Sequence, residues 1–206
     1  MKTFMYESKK EYFEVHSKKI DNIEGSLVEM GFGVGGSANI FGDLMAENKI
    51  KKRHMWLFDS FQGFPEPTKG KDSPKNKKGQ WANGNQNESI KKLKRKIGGH
   101  ESVSVIPGFF EDTIPESYVG GSIAILHLDC DLYMSYKVSL EGLYDMVQPG
   151  GLILFDEYKS PVQMRKYPGA HKAIDEFFKN KDVEFIKGQS KNNKELQKYC
   201  LYKPVK

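Results

Sequence analysis

The chain has 206 residues, 38% hydrophobic and 29% charged, which excludes a disordered chain and fits a single domain, expected over residues 1–206. Its net charge of +5 comes with no recognisable binding module, which argues against a nucleic-acid partner. Two cysteines, no apolar run near the ~20 residues that span a bilayer, and no apolar signal core argue against a disulfide framework and a membrane partner, and a cytoplasmic location is expected.

The pattern then predicts elements in chain order. Residues 1–24 form an N-terminal helical segment, with a short helix over Ser8–Lys19. Ser26–Met30 reads as a buried strand running into a glycine-rich turn, and Ile40–Glu47 has helical spacing. His54–Phe58 is a second strand, ending at Asp59. Glu66–Asn87 is long, polar and rich in Gly, Pro, Lys and Asn. Loops of this length are usually functional or disordered, and its place after the second strand puts it over the site. A helix at Ser89–Lys96 and a strand at Ser102–Ile106 follow. Ser122–Leu128 is a fourth strand ending at Asp129, and Ser135–Met146 a helix stopped by Pro149-Gly150-Gly151. Leu152–Phe155 is a fifth strand ending at Asp156, and Ala170–Lys179 a helix. Weaker strands near Val183–Lys187 and Tyr199–Tyr202 suit an antiparallel edge hairpin. Short apolar strands alternating with helices predict an open, doubly wound, mostly parallel α/β sheet.

Such sheets bind ligands at the carboxyl ends of their strands. The residues there carry chemistry. Glu29 precedes Gly31, Gly33, Gly35 and Ser37 in a turn that lets backbone approach a ligand closely. A carboxylate at that place suits a positively charged aminoacyl group better than a pyrophosphate. Asp59 can accept hydrogen bonds from ribose hydroxyls, and Ser60, Phe61 and Gly63 follow it. After the third strand come Gly108, Phe109 and Phe110; the two rings either sandwich a flat adenine or fill the core. Asp129, Asp131, Asp156 and Glu157 follow two strands expected to be neighbours. Four carboxylates together repel unless protonated or bound to a cation, and a hard divalent ion such as magnesium is the natural partner.

In order and spacing these segments resemble the macrocin O-methyltransferase family, the TylF-type sugar O-methyltransferases. The carriers are Glu29-Met30-Gly31 through Gly36-Ser37, Phe58-Asp59-Ser60-Phe61-Gln62-Gly63-Phe64-Pro65, and Pro107-Gly108-Phe109 with Asp112-Thr113-Ile114-Pro115. The most specific are Leu128-Asp129-Cys130-Asp131-Leu132-Tyr133 and Phe155-Asp156-Glu157-Tyr158. The resemblance implies a class I methyltransferase fold that uses S-adenosylmethionine (SAM) and Mg2+ to methylate a hydroxyl, of a sugar by the family's habit. It places metal ligands at Asp129, Asp156 and Glu157 and the general base at Asp131. It assigns the methionine part of SAM to Glu29 and the glycine turn, the ribose to Asp59, and the adenine to Phe109 and Phe110. Ser60, Phe61, Gly63, Gly108 and Asp129 complete the expected cofactor contacts. Self-association of relatives suggests a homo-oligomer. Two departures stand out: Glu157 replaces a usual second aspartate, and the N-terminal segment is short.

Other readings compete. A catechol-type metal-dependent O-methyltransferase shares the fold and metal logic, a nicotinamide oxidoreductase shares the sheet, and a binding protein would lack the chemistry. His127 reads as a core histidine and His171 as a surface residue. Trp81 either stacks on an acceptor ring or pins the long loop. The basic runs Lys69–Lys78 and Lys91–Lys96 read as solvated surface, with attraction of an anionic acceptor as the functional alternative.

Overall fold

A computed structural model describes residues 2–84, 86–99, 102–118, 120–189 and 195–205. Helix α1 (Lys2–Lys18) opens the chain, followed by β1 (Ser26–Met30), α2 (Gly36–Ala46) and β2 (Met55–Asp59). After the long loop come α3 (Asn87–Ile97), β3 (Val103–Pro107), α4 (Phe110–Ser117) and β4 (Ile123–Leu128). Next are α5 (Tyr133–Leu143), β5 (Val147–Phe155), α6 (Pro161–Lys166) and α7 (Pro168–Phe178), and the chain closes on β6 (Ile186–Gln189) and β7 (Glu195–Tyr202).

The seven strands form one sheet in the order β3-β2-β1-β4-β5-β7-β6. Strands β1 to β5 run parallel, and β7 is antiparallel to both β5 and β6. Strands β1 and β4 are buried at every position, because helices cover both faces. Alternate residues feed two cores. Val28, Met30, Leu126, Leu128 and Phe155 pack with Tyr136, Leu140 and Ile174 on one face. Leu27, Leu57, Leu152 and Leu154 pack with Phe13, Phe41, Leu44 and Leu93 on the other. The period of two along each strand produces this division.

Helix α1 is longer than the sequence pattern indicates. Phe13 stacks on Phe41 of α2 with ring centroids 4.2 Å apart, so tertiary packing stabilises a helix whose own apolar spacing is weak. The connector after α1 is held by the buried Arg53, whose guanidinium donates to the carbonyls of Ile20 at 2.8 Å, Ile23 at 2.7 Å and Gly25 at 3.0 Å. Helices α4 and α6 are not apparent in the sequence pattern: both are short, and α6 carries no buried residue to give it an apolar stripe. Pro149-Gly150-Gly151 belongs to β5 rather than to a break before it. The register passes from Ile123↔Val147 to Ile125↔Leu152, so the extra residues form a bulge, with Gly150 at φ +77°.

Candidate functional site

The order of strands reverses between β1 and β4, and the strand exits there are tied to one another by backbone hydrogen bonds. Gly108 N–H donates to Asp59 O at 3.0 Å, Gly31 N–H to Phe58 O at 2.9 Å, Asp129 N–H to Met30 O at 3.0 Å and Asp156 N–H to Leu128 O at 3.0 Å. The parallel ladder therefore extends one residue past each strand. Leu128 pairs with Phe155, so the next residues, Asp129 and Asp156, stand side by side.

A cavity of about 600 Å³ opens at this edge. Of the residues singled out from sequence, it is lined by Glu29, Gly31, Gly33, Ser37, Asp59, Ser60, Gly63, Gly108, Phe109, Phe110, Asp129 and Asp131. Gly35, Phe61, Asp156 and Glu157 are not in its wall. Phe61 instead packs edge-on to Phe32, with ring centroids 6.3 Å apart.

The glycine turn is sterically obligatory at Gly31. Its φ is +93°, and a Cβ there would lie 1.9 Å from Asp129 O. Asp59 ties this turn to the next loop: Gly33 N–H donates to its Oδ2 at 2.7 Å and Phe61 N–H to its Oδ1 at 2.6 Å. Each oxygen keeps a second lone pair for a ligand hydroxyl. Glu29 is 1% exposed, and its Oε2 is buried with no hydrogen-bond partner. Its Oε1 lies 3.7 Å from His127 Nδ1. Burial pushes the Glu29 carboxyl up, with His127 opposing. An unpartnered buried carboxylate oxygen in a cavity wall fits a cationic group of a ligand.

The carboxylate cluster has its own cations. Lys9 Nζ, from α1, is 2.9 Å from Asp156 Oδ1 and 3.6 Å from Asp129 Oδ2. Lys198 Nζ, from β7, pairs with Asp156 Oδ2 and donates to Asp156 O at 2.9 Å. Burial works to raise the Asp156 carboxyl, but Lys198 and Lys9 outweigh it and hold Asp156 well below the usual range. Asp129 is pushed up by burial and by the Asp156 charge. Burial, then Asp129 and Asp156, push Asp131 well above the carboxylate range. Asp131 also stands at φ +62°, a strained conformation that recurs at functional sites. Glu157 is pushed up by burial and by Asp131. Its Oε2 accepts from Tyr136 Oη.

As a divalent-ion site this donor set has the right chemistry. Ligand atoms of His127, Asp129 and Asp156 lie within 4.8 Å of one another, and Asp156 Oδ1 is buried without a well-directed hydrogen bond. Lys9 stands against the same two aspartates.

Several site residues escape the sequence reading. His127 shares a strand face with Asp129, a signal that period two could have supplied. Tyr6 and Lys9 reach the cavity from α1, and Tyr167 from the α6–α7 junction. Tyr167 Oη accepts from Trp81 Nε1 at 3.3 Å. Trp81 thus pins its loop and lines the cavity at once, while remaining 60% exposed. His171 is not a surface residue: it is buried, and Lys159 N–H donates to its Nε2 at 3.0 Å.

The strand order with its reversed β7 defines the class I SAM-dependent methyltransferase fold. The solved O-methyltransferase NovP shares it, with a TM-score of 0.73 at 24% identity over 94% of this chain and 78% of NovP. Residues 11–186 match the macrocin-O-methyltransferase (TylF) family, and the chain belongs to that family. It is 29% identical to demethyldecarbamoylnovobiocin O-methyltransferase of Streptomyces niveus over 79% of this chain and 62% of that protein. It is 31% identical to 8-demethyl-8-(2,3-dimethoxy-alpha-L-rhamnosyl)-tetracenomycin-C 4'-O-methyltransferase of Streptomyces olivaceus, over 67% of this chain. The chain spans 54% of the length of that second relative.

Proposed function

We propose that this protein transfers a methyl group from SAM to a hydroxyl of a sugar or sugar-containing small molecule, with a divalent ion at the aspartate pair. One observation carries the reading. A single cavity gathers Glu29, whose Oε2 has no partner, the glycine turn and Asp131. The name of one relative, the methyltransferase of a rhamnosyl-bearing compound, supports a sugar acceptor.

Bound SAM supplies an electrophilic methyl on a sulfonium sulfur. Glu29 would hold its ammonium group, Asp59 its ribose hydroxyls, and Phe109 and Phe110 the faces of its adenine. The open backbone at Gly33 would admit the methionine portion. Asp129 and Asp156, with His127 beside them, would hold a divalent ion, whose positive charge would favour deprotonation of the acceptor hydroxyl. Asp131 takes the acceptor proton. Tyr167 lines the same cavity as Asp131. Trp81, Phe64 and Pro65 would wall the acceptor side.

The test is incubation with SAM and a panel of rhamnose-bearing acceptors, TDP-rhamnose included, reading S-adenosylhomocysteine by mass spectrometry. Asp131→Asn should lower turnover roughly 100-fold or more and leave SAM affinity unchanged. A near-normal rate in that variant removes Asp131 as the base.

A further inference from the structure

The place between Asp129 and Asp156 already holds a positive charge. Lys9 Nζ reaches both carboxylates, at 3.6 and 2.9 Å, and lies in the cavity wall. Lys198 approaches Asp156 from β7 and is not in that wall. The two lysines are held differently. Lys198 bonds both the side chain and the backbone carbonyl of Asp156, and its neighbour Tyr199 pairs with Phe155 in the sheet. Lys9 is held by its two ion pairs and by the face of Phe13, 5.6 Å from the ring centroid. It rides on a helix that is attached to the sheet by side-chain packing, not by a ladder.

Magnesium takes oxygen ligands at roughly 2.0–2.1 Å in near-octahedral geometry. An ion held by Asp129 and Asp156 would crowd the Lys9 ammonium, which lies 3.6 and 2.9 Å from their oxygens. At that separation in a buried site, like charges repel strongly. Both cations therefore cannot occupy the pair together.

We propose that Lys9 is the resident counterion of the Asp129–Asp156 pair, and that a divalent ion enters only by displacing it. Lys9 thus sets the cation affinity of the site and couples ion entry to the docking of α1. Without an ion, Lys9 keeps the two carboxylates compatible with each other and α1 seated over the cavity. With an ion, the ammonium withdraws and the end of α1 that carries Tyr6 and Lys9 loosens. Lys198 stays as a fixed neighbour of Asp156 in both states. The inference rests on the metal half of the function proposed above, not on methyl transfer itself.

The experiment is titration of the full chain with Mn2+ alone, reading free Mn2+ by electron paramagnetic resonance. Lys9→Met keeps the aliphatic stem and removes the charge, and should bind Mn2+ at least tenfold more tightly than wild type. Lys9→Arg keeps the charge and should not tighten. Asp156→Asn added to Lys9→Met should abolish the gain. Equal affinity in wild type and Lys9→Met overturns the proposal. Equal tightening in Lys9→Met and Lys9→Arg also overturns it, since a loosened helix rather than charge would then be responsible. Hydrogen exchange supplies a second readout: Mn2+ should speed exchange of the α1 amides, and unchanged exchange with Mn2+ bound counts against displacement. SAM binding measured on the same samples separates the two readings. Retained SAM binding with no Mn2+ bound by Lys9→Met sinks this inference and leaves methyl transfer standing. Lost SAM binding sinks methyl transfer, while the Mn2+ comparison still decides the role of Lys9.

Discussion

Gly31 shows how tightly single residues constrain this site. Its backbone passes so close to Asp129 O that no Cβ fits, and its φ of +93° is strained for any other residue. Gly31→Ala should therefore destabilise the fold by more than about 2 kcal/mol and abolish SAM binding, read by denaturant unfolding and calorimetry. A variant of wild-type stability would show that the turn can move away. Residues such as Gly31, Asp59 and Asp129 were legible in the sequence because each directly follows a buried strand. Position along a parallel strand fixes position at the binding edge. Lys9, Lys198 and Tyr167 were not legible. A lysine at one place on a charged helix looks like its neighbours, and only the packing of α1 and β7 brings two of them to Asp156. The acidic cluster in the sequence calls for a cation. The fold supplies two ammonium groups as well, a solution that composition cannot reveal.

At the scale of elements, the long loop is the least predictable part and the most exposed to test. Its polar composition gave no fold, yet it is anchored at several points. Asp72 is the main one: its Oδ1 accepts from Tyr133 N–H at 2.9 Å and its Oδ2 from Thr68 N–H at 2.7 Å. The loop thereby caps the start of α5 from a distance in sequence, which no local capping pattern could disclose. Asp72→Ala should cost about 1 kcal/mol, as the loss of a helix cap does. It should also speed tryptic cleavage at Lys75, Lys77 and Lys78 several-fold. Unchanged proteolysis would mean that the Trp81–Tyr167 contact and the Phe64–Gln80 backbone pairing suffice to hold the loop. The docking of α1 on β7 has a pH signature. His16 Nδ1 lies 2.9 Å from Tyr202 Oη and 3.2 Å from Cys200 Sγ. Burial, aided by Lys19, holds the imidazole down to about 4. The unfolded chain takes up this proton below its ordinary value near 6.5, while the folded chain does not until about pH 4. The contribution of His16 is thus complete above pH 6.5 and is lost as pH falls toward 4. Thermal unfolding across that window should show the loss, and His16→Gln should flatten it. An unaltered slope in the variant would assign the acid sensitivity elsewhere.

The whole molecule is a scaffold whose order of strands decides its chemistry. The alternation of buried strands and helices made the doubly wound sheet legible from sequence, and the two closing strands gave the antiparallel edge. What pattern could not show was cover. Two faces of the cavity come from elements outside the strand–turn motifs, α1 with Tyr6 and Lys9 and the long loop with Trp81 and Asn83. Such contributions arise from tertiary packing alone. Among the described residues, no helix is long and apolar enough to cross a membrane. The central claim is that this cavity binds SAM through Glu29 and the glycine turn. Calorimetric titration of the purified chain with SAM tests it most directly, with Glu29→Gln alongside. A charge-assisted hydrogen bond is worth roughly 1.5–3 kcal/mol, so the variant should lose roughly 10- to 100-fold in affinity. Saturable SAM binding that weakens by that factor in Glu29→Gln is the expected result. No SAM binding by the wild-type chain, with or without a divalent ion, would contradict the account.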